Sequence, residues 1–511
     1  MKYFIKTYGC QMNHSDSERI AGVLELANYK KSVEEIDADL VVINMCSVRE
    51  AAVNRISGNF HKYKKYKISN SNFKTVITGC ILPTDKNKFD KLFDLVIDIK
   101  EIEQLPERLK NCHSKKDCHS EFSSESSFDN DLTVPMSPEP VIDEMKKYKG
   151  QSQKILNQVQ DDKNYCYSEC SDSEMKSHDT MPKKSKSFVK TQDNDINDYF
   201  SINPQYESKI TAYVPIMTGC NNFCSYCVVP YTRGREKSRP VDEILDEITN
   251  LVKNGYKEII LLGQNVNSYK PDGNTDFPKL LRLINNVPGD FWIRFLTSHP
   301  KDISEELIKT VAQCKKCTEH IHLALQSGDD EILEKMNRKY SAKHFLALTK
   351  MIRKNILNVS ITTDIIIGFP GETEKQFQNT SKIMKEVKFD MVYINKYSPR
   401  TGTVSAKMND DVSWKEKKRR EDVLNTILEK TALENNQEYI GKTIDVLIEK
   451  KDKSYAYGKT RSFKNVKISY SCYPDLVEGI SKRKKTVKVG KFSKIKITQA
   501  NAWGLEGKVK K

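Results

Sequence analysis

The chain has 511 residues, of which 38% are hydrophobic and 30% charged, and its formal net charge is +15 at pH 7. A chain this long holds two to four domains. No apolar run reaches membrane-spanning length, and Met1-Lys2-Tyr3-Phe4-Ile5-Lys6 has no signal-peptide core, so a cytoplasmic protein without a membrane partner is expected. Thirteen cysteines in such a chain point to metal or redox chemistry and away from a disulfide framework.

Residues 1–111 alternate short apolar strands with helices. Strands are predicted at Lys2–Tyr8, Leu40–Asn44, Lys74–Thr78 and Leu95–Ile97. A helix is predicted over Asp16–Leu26, with Ile20, Val23, Leu24 and Ala27 toward one face, and another begins at Ala51–Ile56. Continuous apolar strands separated by helices predict a parallel sheet. Cys10, Cys46 and Cys80 each follow the carboxyl end of such a strand. Those ends lie side by side in a parallel sheet, so three cysteines distant in sequence converge at one edge. Three buried structural cysteines are the plain alternative. Their placement at three strand ends favours a cluster site.

Residues 112–205 break the pattern. Ser123-Ser124-Glu125-Ser126-Ser127 and Pro182-Lys183-Lys184-Ser185-Lys186 are too polar to bury a core. A disordered insertion between two domains is expected, with a transient helix at Ile155–Val159. Cys166 and Cys170 mimic a metal pair in spacing and are expected to be free thiols.

Residues 206–437 run strand and helix in alternation about six times, which predicts an open (β/α) barrel with its site at the strand carboxyl ends. The first strand is Tyr213–Met217, and Thr218-Gly219 ends it. Cys220, Cys224 and Cys227 follow on a loop, before a helix that opens at Pro240. Soft thiolates select iron–sulfur clusters, zinc or copper(I). A structural zinc site wants four ligands, and no fourth Cys or His follows at short range. Three thiolates on a four-iron cubane leave one iron open to a substrate. Spacing alone still allows a chance cluster or an incomplete zinc knuckle.

The later strand ends of this region carry polar or small residues: Gln264-Asn265, Ser298-His299, Gln326-Ser327-Gly328 and Gly368-Phe369-Pro370-Gly371-Glu372. Gly368 and Gly371 would let a flat ligand approach the backbone. His299 and His322 read as structural. Cys314 and Cys317 have the spacing of a redox or zinc pair but sit at a helix end, and they are expected to be a decoy.

Residues 438–511 alternate in strand fashion, at Ile444, Val446 and Ile448, at Val487 and Val489, and at Ile495 and Ile497, which predicts a small β-barrel. Residues 441–511 hold 19 Lys and Arg against 6 Asp and Glu. That excess of 13 is nearly the whole net charge. A basic small domain is the footprint of a nucleic-acid binder. Lys482, Arg483, Lys484 and Lys485 are the expected phosphate contacts, with Arg233 and Arg235 beside the cysteine loop as a second RNA-contacting pair. Phe463 and Tyr470 are aromatics for base stacking or for core packing.

The string from Gly219 to Gly234, with its Cys-x3-Cys-x2-Cys spacing after a first strand, resembles the radical S-adenosylmethionine enzymes and, within them, the methylthiotransferases. Tyr8-Gly9-Cys10-Gln11-Met12-Asn13, Asn44-Met45-Cys46-Ser47-Val48-Arg49-Glu50 and Gly79-Cys80 resemble that family's amino-terminal domain. Met45 stands where a small Thr is usual, and Ile81-Leu82-Pro83 after Cys80 is unusual. Neither departure touches a proposed ligand. The resemblance covers everything except 112–205. It implies an α/β fold in four parts: a parallel α/β domain over 1–111, the insertion, a partial (β/α)6 core over 206–437, and a TRAM-like RNA-binding β-barrel over 438–511.

The resemblance also implies two [4Fe-4S] clusters, one on Cys220, Cys224 and Cys227 and one on Cys10, Cys46 and Cys80. It implies S-adenosylmethionine bound by strand-end residues Gln264, Asn265, Ser298, Gln326, Asp364, Gly368 and Pro370. The strings Gly263-Gln264-Asn265-Val266-Asn267, Ser298-His299-Pro300 and Tyr397-Ser398-Pro399-Arg400 favour the branch acting on isopentenylated adenosine beside the tRNA anticodon. The expected reaction places a methylthio group on adenine C2. That carbon has no acidic proton, so a 5′-deoxyadenosyl radical is implied in place of an acid or base. The implied partners are tRNA, an electron donor such as flavodoxin or ferredoxin, and iron–sulfur or sulfur delivery proteins. Threonylcarbamoyl adenosine in tRNA and a ribosomal-protein aspartate are alternative substrates in the same chemistry. A non-catalytic iron–sulfur RNA-binding protein is the alternative from another class.

Overall fold

Every side chain of the strand Leu40–Cys46 is buried. A strand covered on both faces needs neighbours on both edges and layers above and below. In the computed structural model, which describes residues 1–47, 56, 62–112, 196–469 and 487–510, it has them. The first sheet consists of β1 (Lys2–Tyr8), β2 (Lys30–Lys31), β3 (Leu40–Cys46), β4 (Lys74–Cys80) and β5 (Leu95–Val96), in the order β2-β1-β3-β4-β5, all parallel. The helix after β1 spans Gln11–Leu26 and starts directly after Cys10, five residues earlier than expected. Asn13 explains the early start: its Oδ1 accepts the Cys10 N–H at 3.2 Å, which holds the first turn.

The stretch expected to be disordered ends sooner than residue 205. Ile196–Ser201 is helical, and Tyr199, Phe200 and Ile202 pack in one cluster with Ile99, Ile102, Leu105 and Leu109. Two adjacent aromatics and an isoleucine supply the apolar area that the serine-rich segments lack. The other end is tied to the same layer, where Lys74 Nζ donates to the carbonyls of Leu109 and Cys112. The described chain therefore leaves and re-enters on the first α/β unit. Residues 113–195, with the expected helix at Ile155–Val159 and the pair Cys166 and Cys170, lie outside the described residues. So do Ala51–Arg55 of the second expected helix.

Six parallel strands build the middle of the chain. β6 (Thr211–Pro215), β9 (Glu258–Leu262) and β10 (Trp292–Phe295) pair in the order β10-β9-β6. β11 (His320–His322), β12 (Ser360–Ile367) and β13 (Met391–Lys396) form a second half in chain order. Bridges between Ile293 and Cys317 and between Ser298 and Leu323 join the halves into one arc. A short ladder of β7 (Met217–Thr218) with β8 (Lys237–Ser238) closes the ends of the cysteine loop. Helices cover the outside, and six of them begin at a side chain that accepts an orphan N–H: Asp276, Ser304, Asp329, Ser341, Thr373 and Ser413. The helix predicted from Thr373 spans Glu374–Val387, as expected. Cys314 and Cys317 are buried in the main core, in keeping with a packing role.

The last unit is a closed barrel of β14 (Thr443–Lys451), β15 (Tyr455–Thr460), β16 (Asn465–Ser469), β17 (Phe492–Asn501) and β18 (Gly504–Val509), in the order β14-β15-β16-β18-β17. Val446, Ile448, Ile495 and Ile497 fill it from alternate positions. Val487, just before β17, joins the same core, whereas Val489 lies in the turn that follows and is exposed.

Candidate functional site

The loop after β6 is held at several points. Gly219 has φ +77, and a Cβ there would lie 2.0 Å from the Arg235 carbonyl oxygen. Only glycine accepts both conditions. The Cys220 N–H donates to Gly234 O at 3.1 Å and the Ser225 N–H to Met336 O at 3.1 Å. The Ser405 N–H donates to Ser225 O at 2.7 Å, and the Asn337 amide donates to Phe223 O at 2.9 Å. These straps bring Cys220, Cys224 and Cys227 into one buried cluster with Val229. Arg338, which the sequence did not single out, brings its guanidinium to 4.0 Å from Cys224 Sγ.

The second triad forms by topology. Cys46 and Cys80 are register partners on β3 and β4, and Cys10 precedes the helix after β1. Gly79, at φ +110, leaves room for the Met45 carbonyl, which would lie 2.1 Å from a Cβ. Asn13 and Asn44 lock the strand ends together: Asn13 Nδ2 donates to Asn44 Oδ1 at 3.1 Å, and Asn44 Nδ2 to Asn13 O at 2.7 Å. The three cysteines pack with Met12, Ile260, Leu262, Leu296 and Tyr393. This edge of the first sheet therefore faces the inner wall of the six-stranded arc.

All six cysteines are at most 3% exposed. Among the described residues no three Cys, His, Asp or Glu side chains close on a single metal ion. A cubane takes each thiolate on a different iron and so needs a wider set. Two groups of three buried thiols, each beside a guanidinium, fit that demand in donor chemistry and in charge.

The strand ends expected to bind S-adenosylmethionine are buried, and three of them carry open polar atoms. Ser298 Oγ, both amide atoms of Gln326 and Asp364 Oδ1 are buried without a hydrogen-bond partner among the described residues. Gln326 also adopts φ +64, a conformation costly for a side chain that gains nothing by it. Bridges from Ser298 to Leu323 and from Gln326 to Ile365 show that these ends are neighbours. Such a set suits a polar ligand. Asn265 instead donates to Asp302 at 2.7 Å, and Gln264 is buried next to it. Asp364 Oδ2 pairs with His322 Nε2 at 2.8 Å.

At Gly368, φ is +66, and a Cβ would meet the Lys417 stem at 2.4 Å. The packed neighbour there is thus a lysine chain of the last core helix. Pro370 is buried in the same turn. His299 accepts the Lys301 N–H at 2.9 Å, and burial pushes its imidazole down to about 3, so it stays neutral.

The expected RNA contacts divide. Arg233 does not serve as one: it is buried, with its guanidinium on Asp16 and Cys80. Arg235 is exposed and lies over the Phe223 ring at 4.5 Å. Lys482, Arg483, Lys484, Lys485 and Tyr470 lie outside the described residues. Phe463 is committed to packing, 4.4 Å from the Arg294 guanidinium and 4.8 Å from the His320 ring. A cavity of about 250 Å³ opens beside Gln11, the neighbour of Cys10, between Tyr213, Ile260, Leu296, Lys459 and Phe463.

A three-cysteine loop at the head of a six-stranded (β/α) arc defines a radical S-adenosylmethionine enzyme, and residues 214–384 match the model of the Radical SAM superfamily. Residues 2–99 match the one described as Uncharacterized protein family UPF0004. Across 515 residues the chain is 38% identical to the tRNA-2-methylthio-N(6)-dimethylallyladenosine synthase of Clostridium novyi (strain NT), covering 99% of this chain and 96% of that protein. It is 36% identical over 518 residues to the protein of that name from Thermoanaerobacter pseudethanolicus, covering 99% and 92%. The chain belongs to the tRNA-2-methylthio-N(6)-dimethylallyladenosine synthase family.

Proposed function

We infer that the protein adds a methylthio group to C2 of N6-isopentenyladenosine in tRNA, using one [4Fe-4S] cluster on each thiol triad. The observation that carries this reading is the meeting of two separate buried thiol triads, one from each α/β unit, across a single arginine side chain. Relatives that carry the dimethylallyl name along the full chain support this branch over the threonylcarbamoyl and protein substrates. When bound, the clusters and S-adenosylmethionine supply the one-electron chemistry that an inert C2–H bond requires. The chain's own residues place and shield these groups. Ser298, Gln326 and Asp364 offer polar atoms to S-adenosylmethionine, and the apolar wall of Ile260, Leu262 and Leu296 keeps water from the second triad. The cavity beside Gln11 is the proposed entry for the base.

The basic last barrel is proposed to act as a TRAM-like RNA-binding domain, through Lys482, Arg483, Lys484 and Lys485, with Arg235 as a contact near the loop. A flavodoxin- or ferredoxin-like donor, iron–sulfur or sulfur delivery proteins and a cytoplasmic location complete the reading. Mass spectrometry of tRNA nucleosides from cells lacking the protein tests it: the methylthio form of isopentenyladenosine should vanish and its precursor accumulate. With purified protein, Cys220→Ala should abolish 5′-deoxyadenosine formation, whereas Cys46→Ala should retain it and lose sulfur insertion. Equal loss of both activities in both variants would refute the division of labour.

A further inference from the structure

Arg233 is the side chain that joins the two triads. Its backbone belongs to the first: the Arg233 N–H closes the turn of Val229–Thr232 onto Val229 O at 2.8 Å, and the next residue, Gly234, accepts the Cys220 N–H at 3.1 Å. Its guanidinium belongs to the second. Nε donates to Cys80 Sγ at 3.1 Å. The two terminal nitrogens reach Asp16, at 2.6 Å and 3.5 Å. Asp16 also accepts the Tyr199 hydroxyl at 2.6 Å. Arg233, Asp16, Tyr199 and Cys80 are 2%, 0%, 4% and 0% exposed.

Reducing an iron–sulfur cluster adds a negative charge to it. A hydrogen bond to a ligand sulfur and a nearby cation both favour the reduced form, and a dry surrounding strengthens both. The Asp16 carboxylate works in the opposite sense, because it shares the same guanidinium. A lysine could supply the charge, but not the planar fork that reaches sulfur and carboxylate together.

We propose that Arg233 is a positioning residue that, with Asp16 as its counter-ion, sets the reduction potential of the cluster on Cys10, Cys46 and Cys80 while tying that cluster to the Cys220 loop. The proposal rests on the two-cluster reading above. It makes a sign-specific demand. Removing the cation should lower the midpoint potential, and neutralising its counter-ion should raise it. An ion pair that only fastened two domains would move neither.

The test uses the full chain with Cys220, Cys224 and Cys227 replaced by Ala, reconstituted anaerobically, so that one cluster remains. Iron is counted, and the paramagnetic reduced signal is followed through a one-electron titration with dithionite. Arg233→Gln and Asp16→Asn are then compared in that background. The expected result is a lower midpoint for Arg233→Gln and a higher one for Asp16→Asn, with iron content equal to the parent. If Arg233→Gln holds no iron, Asp16→Asn decides alone, since its guanidinium stays on Cys80 and its midpoint must rise. Midpoints that stay put, or shift in the same direction, overturn the proposal and leave the two-cluster reading standing. A triple-alanine parent without iron overturns both.

Discussion

Replacing Arg294 by Ala should loosen the last barrel from the six-stranded core. Arg294 is buried inside the arc, and its Nε meets Glu258 Oε1 at 2.8 Å. Its other nitrogens donate to the carbonyls of Arg461 at 3.0 Å and Thr460 at 3.3 Å, both at the end of β15. The guanidinium also lies against the Phe463 ring. Alanine would leave Glu258 buried, among the described residues, with the Thr211 hydroxyl at 3.2 Å on its second oxygen as its remaining hydrogen bond. Breaking a buried pair by removing one partner costs about 3–5 kcal/mol. The cation–π contact, worth roughly 0.5–2 kcal/mol, is lost in the same change and does not simply add. A shift of this size changes the docked-to-undocked ratio by about two to three and a half powers of ten. Hydrogen exchange of amides in β15 and β16 should accelerate by that factor. The fluorescence of Trp292, whose ring is 4.6 Å from Phe492 across the same junction, should change at lower denaturant. The double variant Glu258→Gln with Arg294→Met should recover much of the loss, because no charge is then stranded. Unchanged exchange in Arg294→Ala, with a stability loss below about 1 kcal/mol, would refute the reasoning.

Glu18 is buried, and burial pushes its carboxyl up to about 7 despite the Glu207 N–H that it accepts. The native state then holds a proton that the unfolded chain releases between about pH 4.5 and 7, so this group's contribution to stability falls as pH rises through that window. Glu18→Gln should flatten the fall, by roughly 3 kcal/mol at most, in denaturant titrations at pH 5 and pH 8. Gly219→Ala should cost about 1–2 kcal/mol for the left-handed backbone and more for the collision with the Arg235 carbonyl. Iron analysis should show the Cys220 loop emptied and the second triad loaded; full iron would contradict the role given to this glycine. Replacing residues 113–195 with a short Gly/Ser linker should preserve both iron content and activity, because Cys112 and Ile196–Ser201 are anchored on the same unit. Loss of iron in a soluble deletion protein would show that the insertion contributes to a site.

Local spacing determined a good deal. The three cysteines of the 220–227 loop, the alternation of strand and helix, and the helix after Thr373 depend on contacts within a few residues, so they could be read directly. The convergence of Cys10, Cys46 and Cys80 was also legible, because parallel strands place their carboxyl ends together. The fate of individual polar and aromatic side chains was decided by the tertiary structure alone. Arg233 looked like an exposed cation beside a loop, yet its partners Cys80 and Asp16 lie 153 and 217 positions earlier. Tyr199 and Phe200 ended an apparently unstructured stretch, and what orders them is a surface made by Ile99, Ile102 and Leu105. Phe463 had the look of a base-stacking aromatic until Arg294 and His320 of the neighbouring unit enclosed it. A charge or a ring is placed by whatever lies opposite it after folding, and no local pattern encodes a partner that only the packing of separate units brings within reach.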